Sequence, residues 1–490
     1  MPTADEHFNY GLYLHEQGRM EDAIQAFCHA ITEDPMYTKA YNNLGVVFHQ
    51  TEQLPQAEAC FRKAIELNPA GVAQYNNLAL VFLDMVRLEE AEGCAKAGLE
   101  IDPQLPALYN TLGLIYDWQN QDDKTEEAYR KALEIDPLHV DAHYNLGLFF
   151  KNRGFDEKAK DEFFKALQID PQHHPTRLAW ATLLLRQGKF TEGWELYDQT
   201  RFLYRKNREG QVPFWQGEPL HKKSILLFFD QGYGDTLQFV RYIEEIKTLG
   251  AQITVWVQRP IVRLVGFSYP DVQIYRKDTP PEKGEFDYAC AFMNLPNLLK
   301  TTMATIPAYE HYFSLPENLV EKWKQKLSCQ AEAGKKKKIG FLWAGNPRPY
   351  DDNSRSMPFS VWKDFWKTSR ISQQIQWMSL QAGKKAAELT EVQGQIIDYS
   401  ADFADFAETG ALIQNLDLVI SIDSAVAHLS GGLGKETWLL LPWIPEWRWQ
   451  MERPDTPWYP KMRLFRQAEK NNWQQVMRQV ETELKRWIEG

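Results

Sequence analysis

Cysteine is scarce, with five residues in a chain of 490. Cys28, Cys60, Cys94, Cys290 and Cys329 form no Cys-x-x-Cys pair, so neither a disulfide framework nor a zinc site is expected. The first three fall on stretches with helical periodicity, where Cys packs as a small apolar residue. No apolar run approaches the roughly 18 residues needed to cross a bilayer. The opening segment MPTADEHFNY has no apolar signal region. These absences predict a cytoplasmic chain with no membrane span. Positive charge is also short: residues 1–205 hold 32 acidic and 19 basic side chains, the remainder 34 and 36, giving the net charge of −11. Without a basic stripe, nucleic acid is not an expected partner.

What is present first is a beat of 34 residues. Asp34-Pro35, Asp102-Pro103, Asp136-Pro137 and Asp170-Pro171 share one phase, and Asn68-Pro69 fills the missing slot. Small residues keep the same step (Gly11, Gly45, Ala79, Gly113, Gly147, Ala181), as do Phe27, Phe61, Ala95, Tyr129 and Phe163, and Ala30, Ala64, Gly98, Ala132 and Ala166. Small residues where two helices touch, an aromatic on the second helix and Pro at the turn describe a repeated helical hairpin. The pattern resembles the tetratricopeptide repeat (TPR) family, which stacks into a solenoid with a concave binding face. Five repeats are predicted at 4–37, 38–71, 72–105, 106–139 and 140–173. A degenerate sixth, 174–207, keeps Ala181 but has Arg205 where Pro is due, and reads as a cap.

Past a linker containing Pro213, Phe214, Trp215, Gly217 and Pro219, the period changes. Strand-like runs at 225–229, 253–257, 285–293, 339–343, 377–380, 396–399, 418–422 and 437–441 alternate with helical stretches, which implies parallel sheets covered on both faces. The expected fold class is α plus α/β: a solenoid over 1–207, α/β domains at 208–328 and 338–467, and a C-terminal helix within 468–490 packing back. The lysine run Lys335–Lys338 reads as part of a solvated linker.

Four segments could carry chemistry. In Gln231-Gly-Tyr-Gly-Asp-Thr236, a strand gives way to a helix, the place where α/β sheets bind ligands. Gly232 and Gly234 would allow a tight turn and close approach to a ligand, and Asp235 would face the cleft or simply cap the helix. In Ser421-Ile-Asp-Ser-Ala-Val-Ala-His428, free amides near Ser424 and Ala425 suit a diphosphate. There Asp423 could accept a sugar hydroxyl, and His428 reads more readily as a packed histidine than a catalyst. The polar loop from Trp343 to Met357 offers Asn346, Arg348 and Arg355, arginine being suited to phosphate oxygens. The aromatic run Leu441-Pro-Trp-Ile-Pro-Glu-Trp-Arg-Trp449, with Thr456–Pro460 and Arg463–Arg466, reads mainly as a packing seam, one or two residues reaching the cleft.

Gly232-Tyr-Gly-Asp235 and Asp423-Ser-Ala-Val-Ala-His-Leu429, together with the Trp-Ala-Gly-Asn-Pro and Trp-Arg-Trp segments, resemble TPR-linked bacterial glycosyltransferases related to ADP-heptose:lipopolysaccharide heptosyltransferases. The resemblance implies a GT-B pair of Rossmann-like domains, a nucleotide-sugar donor, inverting transfer to a hydroxyl and no required metal. Tyr233 stands where Leu is more usual, and Glu436, where Pro is usual, would add negative charge near the phosphate region. On this reading Asp235 is the base, and Gly232, Gly234, Asn346, Arg355, Asp423, Ser424, Ala425 and His428 line the donor site. In architecture the order of repeats and transferase also resembles O-GlcNAc transferase.

Asparagines keep the beat as well: Asn9, Asn43, Asn77 and Asn145, and one residue earlier Asn42, Asn76 and Asn110. Each amide could bond a neighbouring repeat or an extended peptide. The second use makes Asn43, Asn77 and Asn145 acceptor-binding residues and a protein or peptide the partner. Two rivals stand beside it: a non-catalytic TPR binding scaffold with a degenerate transferase domain, and a transferase whose acceptor is a glycan or lipid.

Overall fold

The computed structural model describes residues 2–200, 212–281, 286–330, 337–345, 355–392, 394 and 396–489. Arg205, Asn346 and Arg348 lie outside the described residues. The chain divides into two compact units, Met1–Ala179 and Trp180–Gly490.

The first unit is an α-solenoid of helix pairs. The pairs are α1 (Ala4–Glu16) with α2 (Met20–Glu33), α3 (Thr38–Gln50) with α4 (Leu54–Leu67), α5 (Val72–Asp84) with α6 (Leu88–Ile101), α7 (Pro106–Trp118) with α8 (Asp122–Ile135), and α9 (Val140–Lys151) with α10 (Asp156–Ile169). A sixth pair, α11 (His174–Arg186) and α12 (Phe190–Gln199), is divided between the units.

The Asp-Pro beat has a local cause. Proline has no N–H, so the aspartate side chain reaches past it to the next amide: Asp34 Oδ1 accepts from Met36 N at 2.9 Å, Asp102 from Gln104 at 2.9 Å, Asp136 from Leu138 at 3.0 Å and Asp170 from Gln172 at 2.8 Å. Within each pair, the small residue on the first helix receives the aromatic ring of the second. A Cβ at Gly45 would lie 2.7 Å from the buried Phe61 ring, and one at Gly113 2.4 Å from Tyr129. In the third pair both partners change together, Ala79 facing a repeat that carries Ala95 in place of the aromatic, and both are fully buried. A further 34-residue series shows only in the backbone. The turn between paired helices holds a left-handed residue at Gly18, Glu52, Val86, Asn120, Gly154 and Gly188.

The second unit holds two parallel sheets. The first contains β1 (Ser224–Phe228), β2 (Gln252–Val257), β3 (Gln273–Arg276) and β4 (Tyr288–Ala291) in the order β3-β2-β1-β4. The second contains β5 (Lys337–Leu342), β6 (Ile375–Ser379), β7 (Ile396–Asp398), β8 (Leu418–Ile422), β9 (Thr437–Leu441) and β10 (Met462–Arg466) in the order β10-β9-β8-β5-β6-β7. Strand order reverses direction between β1 and β4 and between β5 and β8, the points where doubly wound sheets open a crevice at their carboxyl edge. Every residue of β8 and β9 is buried, as central parallel strands require.

One continuous core runs through both sheets. The helix Glu317–Gln330, which begins inside the span 208–328 and runs past its end, packs through Trp323 on Glu408 of the Phe406–Gln414 helix, the indole N–H donating to the carboxylate at 2.7 Å. At the C-terminus, the helix Trp473–Glu489 lies against the second sheet: Trp487 meets Trp438 of β9, and Glu481 accepts from Ser369 at 2.8 Å. Glu436 falls at the amino end of β9, where it accepts from the Trp487 and Trp438 indoles at 3.1 and 3.3 Å. It is therefore on the opposite edge of the sheet from the strand-end loops, which corrects the expectation of a charge near the phosphate region.

Candidate functional site

The candidate site forms where the Tyr233–Phe239 helix, following β1, meets the Ala425–Gly432 helix, following β8. Their close approach depends on Gly234: a Cβ there would lie 3.0 Å from His428 Cδ2 and 3.9 Å from Ala425 Cα. The small residue thus serves a helix–helix contact. Gly232 caps its helix with ordinary extended geometry, φ −68° and ψ 177°.

Asp235 both caps and reaches outward. Its Oδ2 accepts from Gly232 N at 3.0 Å, while Oδ1 accepts from Arg448 Nη2. Arg448 comes from the loop after β9 and is almost wholly buried. Its Nη1 donates to Glu446 Oε1 at 2.5 Å, its main-chain N donates to Glu446 Oε2 at 2.9 Å, and its Nε donates to Gln238 Oε1. One guanidinium therefore joins carboxylates from the two sheets. Trp447 stacks over it, with the charge 4.3 Å from the ring centroid.

Three carboxyl groups share this recess. Burial, reinforced by the negative charges of Asp423 and Asp235 and opposed by Arg448, pushes the Glu446 carboxyl up to about 7, although a third of its side chain faces solvent. Asp423, at the end of β8, is also raised by burial, with the Trp449 indole and the Arg448 and Arg355 guanidiniums acting against the shift. Arg355 is thus close enough to Asp423 to stabilise its charged form. Ser424 caps the second helix, accepting weakly from Ala427 N at 3.4 Å, and its hydroxyl meets Ser421 Oγ at 3.0 Å.

His428 is a packed residue. Its Nδ1 bonds the Tyr459 hydroxyl at 2.8 Å, and Trp449 stacks on its ring at 5.5 Å. Burial and the nearby Arg448 and Arg241 charges hold its pKa well below the usual value, leaving a neutral ring.

The structure therefore brings Gly232, Gly234, Asp235, Arg355, Asp423, Ser424, Ala425 and His428 into one neighbourhood. It adds Gln238, Glu446 and Arg448, which in the sequence fall inside a helical stretch and an aromatic run; their signal is a Glu and an Arg at a strand end beside the switch point. Among the described residues no group of three or more His, Cys, Asp or Glu has the placement to hold a metal ion.

The asparagines in the first unit bond one another across repeats. Asn77 Nδ2 donates to Asn42 Oδ1 at 3.1 Å, Asn145 Nδ2 to Asn110 Oδ1 at 2.9 Å, and Thr111 Oγ1 to Asn76 Oδ1 at 2.7 Å. Asn43 bonds its own helix at Lys39 O, 2.9 Å away. Half of each paired amide is thus committed to holding adjacent repeats together.

Tetratricopeptide repeat families match residues 7–35, 38–70, 106–137 and 128–160. The N-terminal region is a TPR solenoid. The chain is similar to Protein FlbA of Caulobacter vibrioides, 26% identical over 338 residues, which cover 63% of this chain and 54% of FlbA. It thus spans about half the length of that relative. Solved structures similar to it include a thermophilic TPR protein of Thermus thermophilus (21% identity, 37% of this chain and 100% of that one, TM-score 0.35) and PilF of Pseudomonas aeruginosa (19% identity, 42% and 92%, TM-score 0.33).

Proposed function

We propose that the chain is a protein-binding scaffold whose TPR solenoid holds a protein or peptide, and whose α/β unit binds a phosphorylated small ligand. The scaffold reading rests on the repeats, which give a stacked helical surface built for other chains. Photo-crosslinkers placed at the half-exposed Tyr41, Tyr75 and Tyr109 of the intact chain should trap polypeptide; no polypeptide trapped at any of the three, while probes placed outside 4–173 do trap one, would refute this.

A second reading is favoured by one observation: Asp235, Asp423, Glu446 and Arg448 converge beside the reversal points of two doubly wound sheets. It makes the α/β unit a GT-B type, inverting glycosyltransferase, moving a sugar from a nucleotide sugar to a hydroxyl on the protein held by the repeats. The departing diphosphate would lie at Ser424 and Ala425 with Arg355. A screen of nucleotide sugars by thermal shift tests it, since a ligand at 100 times its Kd stabilises by about 2.7 kcal/mol. Arg355→Ala should weaken a nucleoside diphosphate more than the bare nucleoside. If no nucleotide sugar raises the midpoint, the transferase reading falls and the scaffold reading stands.

A further inference from the structure

We propose that the solenoid takes an extended polypeptide with an apolar side chain at every third residue and basic residues between, an inference that rests on the scaffold reading. A further series on the 34-residue beat carries it: Leu12, Val46, Leu80, Leu114 and Leu148, one on the first helix of each full pair. All five are half-buried. The sixth pair has Thr182 at this position, so the stripe ends with the full repeats.

On a helix, residues three and four apart share a face. Three and four residues before the stripe lie the groups of the clamp, Asn77 on Asn42, Thr111 on Asn76 and Asn145 on Asn110. Three and four residues after it, His15 bonds Gln50 and His49 bonds Asp84, each at 2.6 Å and again from one repeat to the next. The stripe is therefore a band of aliphatic side chains on adjacent first helices, bordered by two rows of polar groups that already bond across repeats. The apolar band is what this face has left to offer a ligand.

The interval of the band fits one backbone better than another. Packed helices sit about 8–10 Å apart. Three residues of polyproline II rise about 9.3 Å and return to the same side, whereas a β-strand returns after two residues, about 6.6 Å, and falls out of step. Charge then selects the intervening residues. Exposed Asp5, Glu16, Asp84 and Asp141 share the helix face with Lys39 and Lys151, and residues 1–205 hold 32 acidic against 19 basic side chains. Basic side chains on the polypeptide complement that excess while its apolar ones cover the band.

The test uses the full chain and three fluorescent peptides in anisotropy titrations: five Leu-Pro-Lys triplets, the same residues shuffled, and five Leu-Pro-Glu triplets. The Leu-Pro-Lys peptide should bind at least about tenfold more tightly than either control, since leucines in step bury area that misplaced ones do not. Its affinity should fall as salt rises. Leu80→Asn combined with Leu114→Asn should lose about tenfold in affinity while keeping the wild-type far-ultraviolet spectrum. The comparison of peptides on the unaltered chain needs no substitution and decides the matter by itself. Equal binding of the shuffled peptide, tighter binding of the glutamate peptide, or no binding of any of the three overturns the inference; where the tyrosine crosslinkers trap polypeptide all the same, the scaffold reading stands. No polypeptide trapped at Tyr41, Tyr75 and Tyr109, while probes outside 4–173 trap one, sinks the scaffold reading itself.

Discussion

The contact between Gly45 and Phe61 makes a quantitative prediction. Phe61 is fully buried, and a methyl group at residue 45 would lie 2.7, 2.9 and 3.0 Å from three of its ring carbons, on a helix whose neighbours fix the ring. Gly45→Ala gains about 1 kcal/mol of helix propensity, but forcing the ring aside costs about 1–3 kcal/mol. The net is a loss of about 0 to 2 kcal/mol. Phe61→Ala empties the ring's place and costs about 3–5 kcal/mol. In that background the methyl group meets no ring, and Gly45→Ala should turn stabilising by about 1 kcal/mol. The double variant reproduces the Ala79 and Ala95 combination that the next repeat carries. The expected coupling is therefore about 1–3 kcal/mol, within the range for residues in contact. Urea unfolding followed by circular dichroism, with amide exchange across α3 and α4 to localise the effect, measures all four corners of the cycle. A Gly45→Ala change that destabilises equally with and without the Phe61 ring would refute the size-matching argument.

Three other predictions concern the solenoid. Val86 holds φ of +59° with a β-branched, 48% exposed side chain, so Val86→Gly should stabilise by about 1 kcal/mol and Val86→Ala should not, as a thermal midpoint will show. Asn77→Ala removes the bond to Asn42 and should cost about 1 kcal/mol; an unchanged urea midpoint would show the clamp idle. Glu162 is buried, which alone would raise its pKa, but hydrogen bonds from His143 and Lys165 hold it below its ordinary value of 4.5. Its native pKa is the lower one, so its stabilising share is present above about pH 4.5 and is lost as pH falls through the depressed value. Glu162→Gln should flatten that acid limb in a pH series of unfolding midpoints.

How much was legible depends on whether one contact recurs with one residue type. The Asp-Pro turn, the small residue and the aromatic repeat because every pair solves the same packing problem with the same chemistry. The left-handed turn position recurs just as strictly, but its occupants are Gly, Glu, Val and Asn, so composition hides it. The central strands announced themselves as apolar runs. β3 and β10 did not: Gln273–Arg276 is at most half-buried with polar residues at both ends, and in Met462–Arg466 the arginines interrupt the run, whereas the other edge strands, β4 and β7, kept an apolar run. Asp235, Asp423 and Ser424 were found because strand-to-helix turns have a local signature. Glu446 and Arg448 act through partners more than two hundred residues away, Arg448 on Asp235 and Gln238, and no local pattern encodes that pairing. The asparagine series was visible as a series. Its use as a clamp between repeats was not, since the same spacing serves either a neighbour or a ligand.

Arg241 carries a consequence for how the second unit moves. It is a fully buried cation that meets no carboxylate among the described residues: it donates to the carbonyls of Gln238 at 2.8 Å, Trp458 at 2.7 Å and Pro307 at 3.4 Å and to the Tyr312 hydroxyl at 3.2 Å, with the Tyr312, Tyr459 and Trp458 rings packed about it. The carbonyls of Gln238 and Pro307 come from the first half of the unit and that of Trp458 from the second, so swinging one sheet away from the other would strip a buried charge of the Trp458 carbonyl. That cost opposes a hinge-like opening between the two sheets.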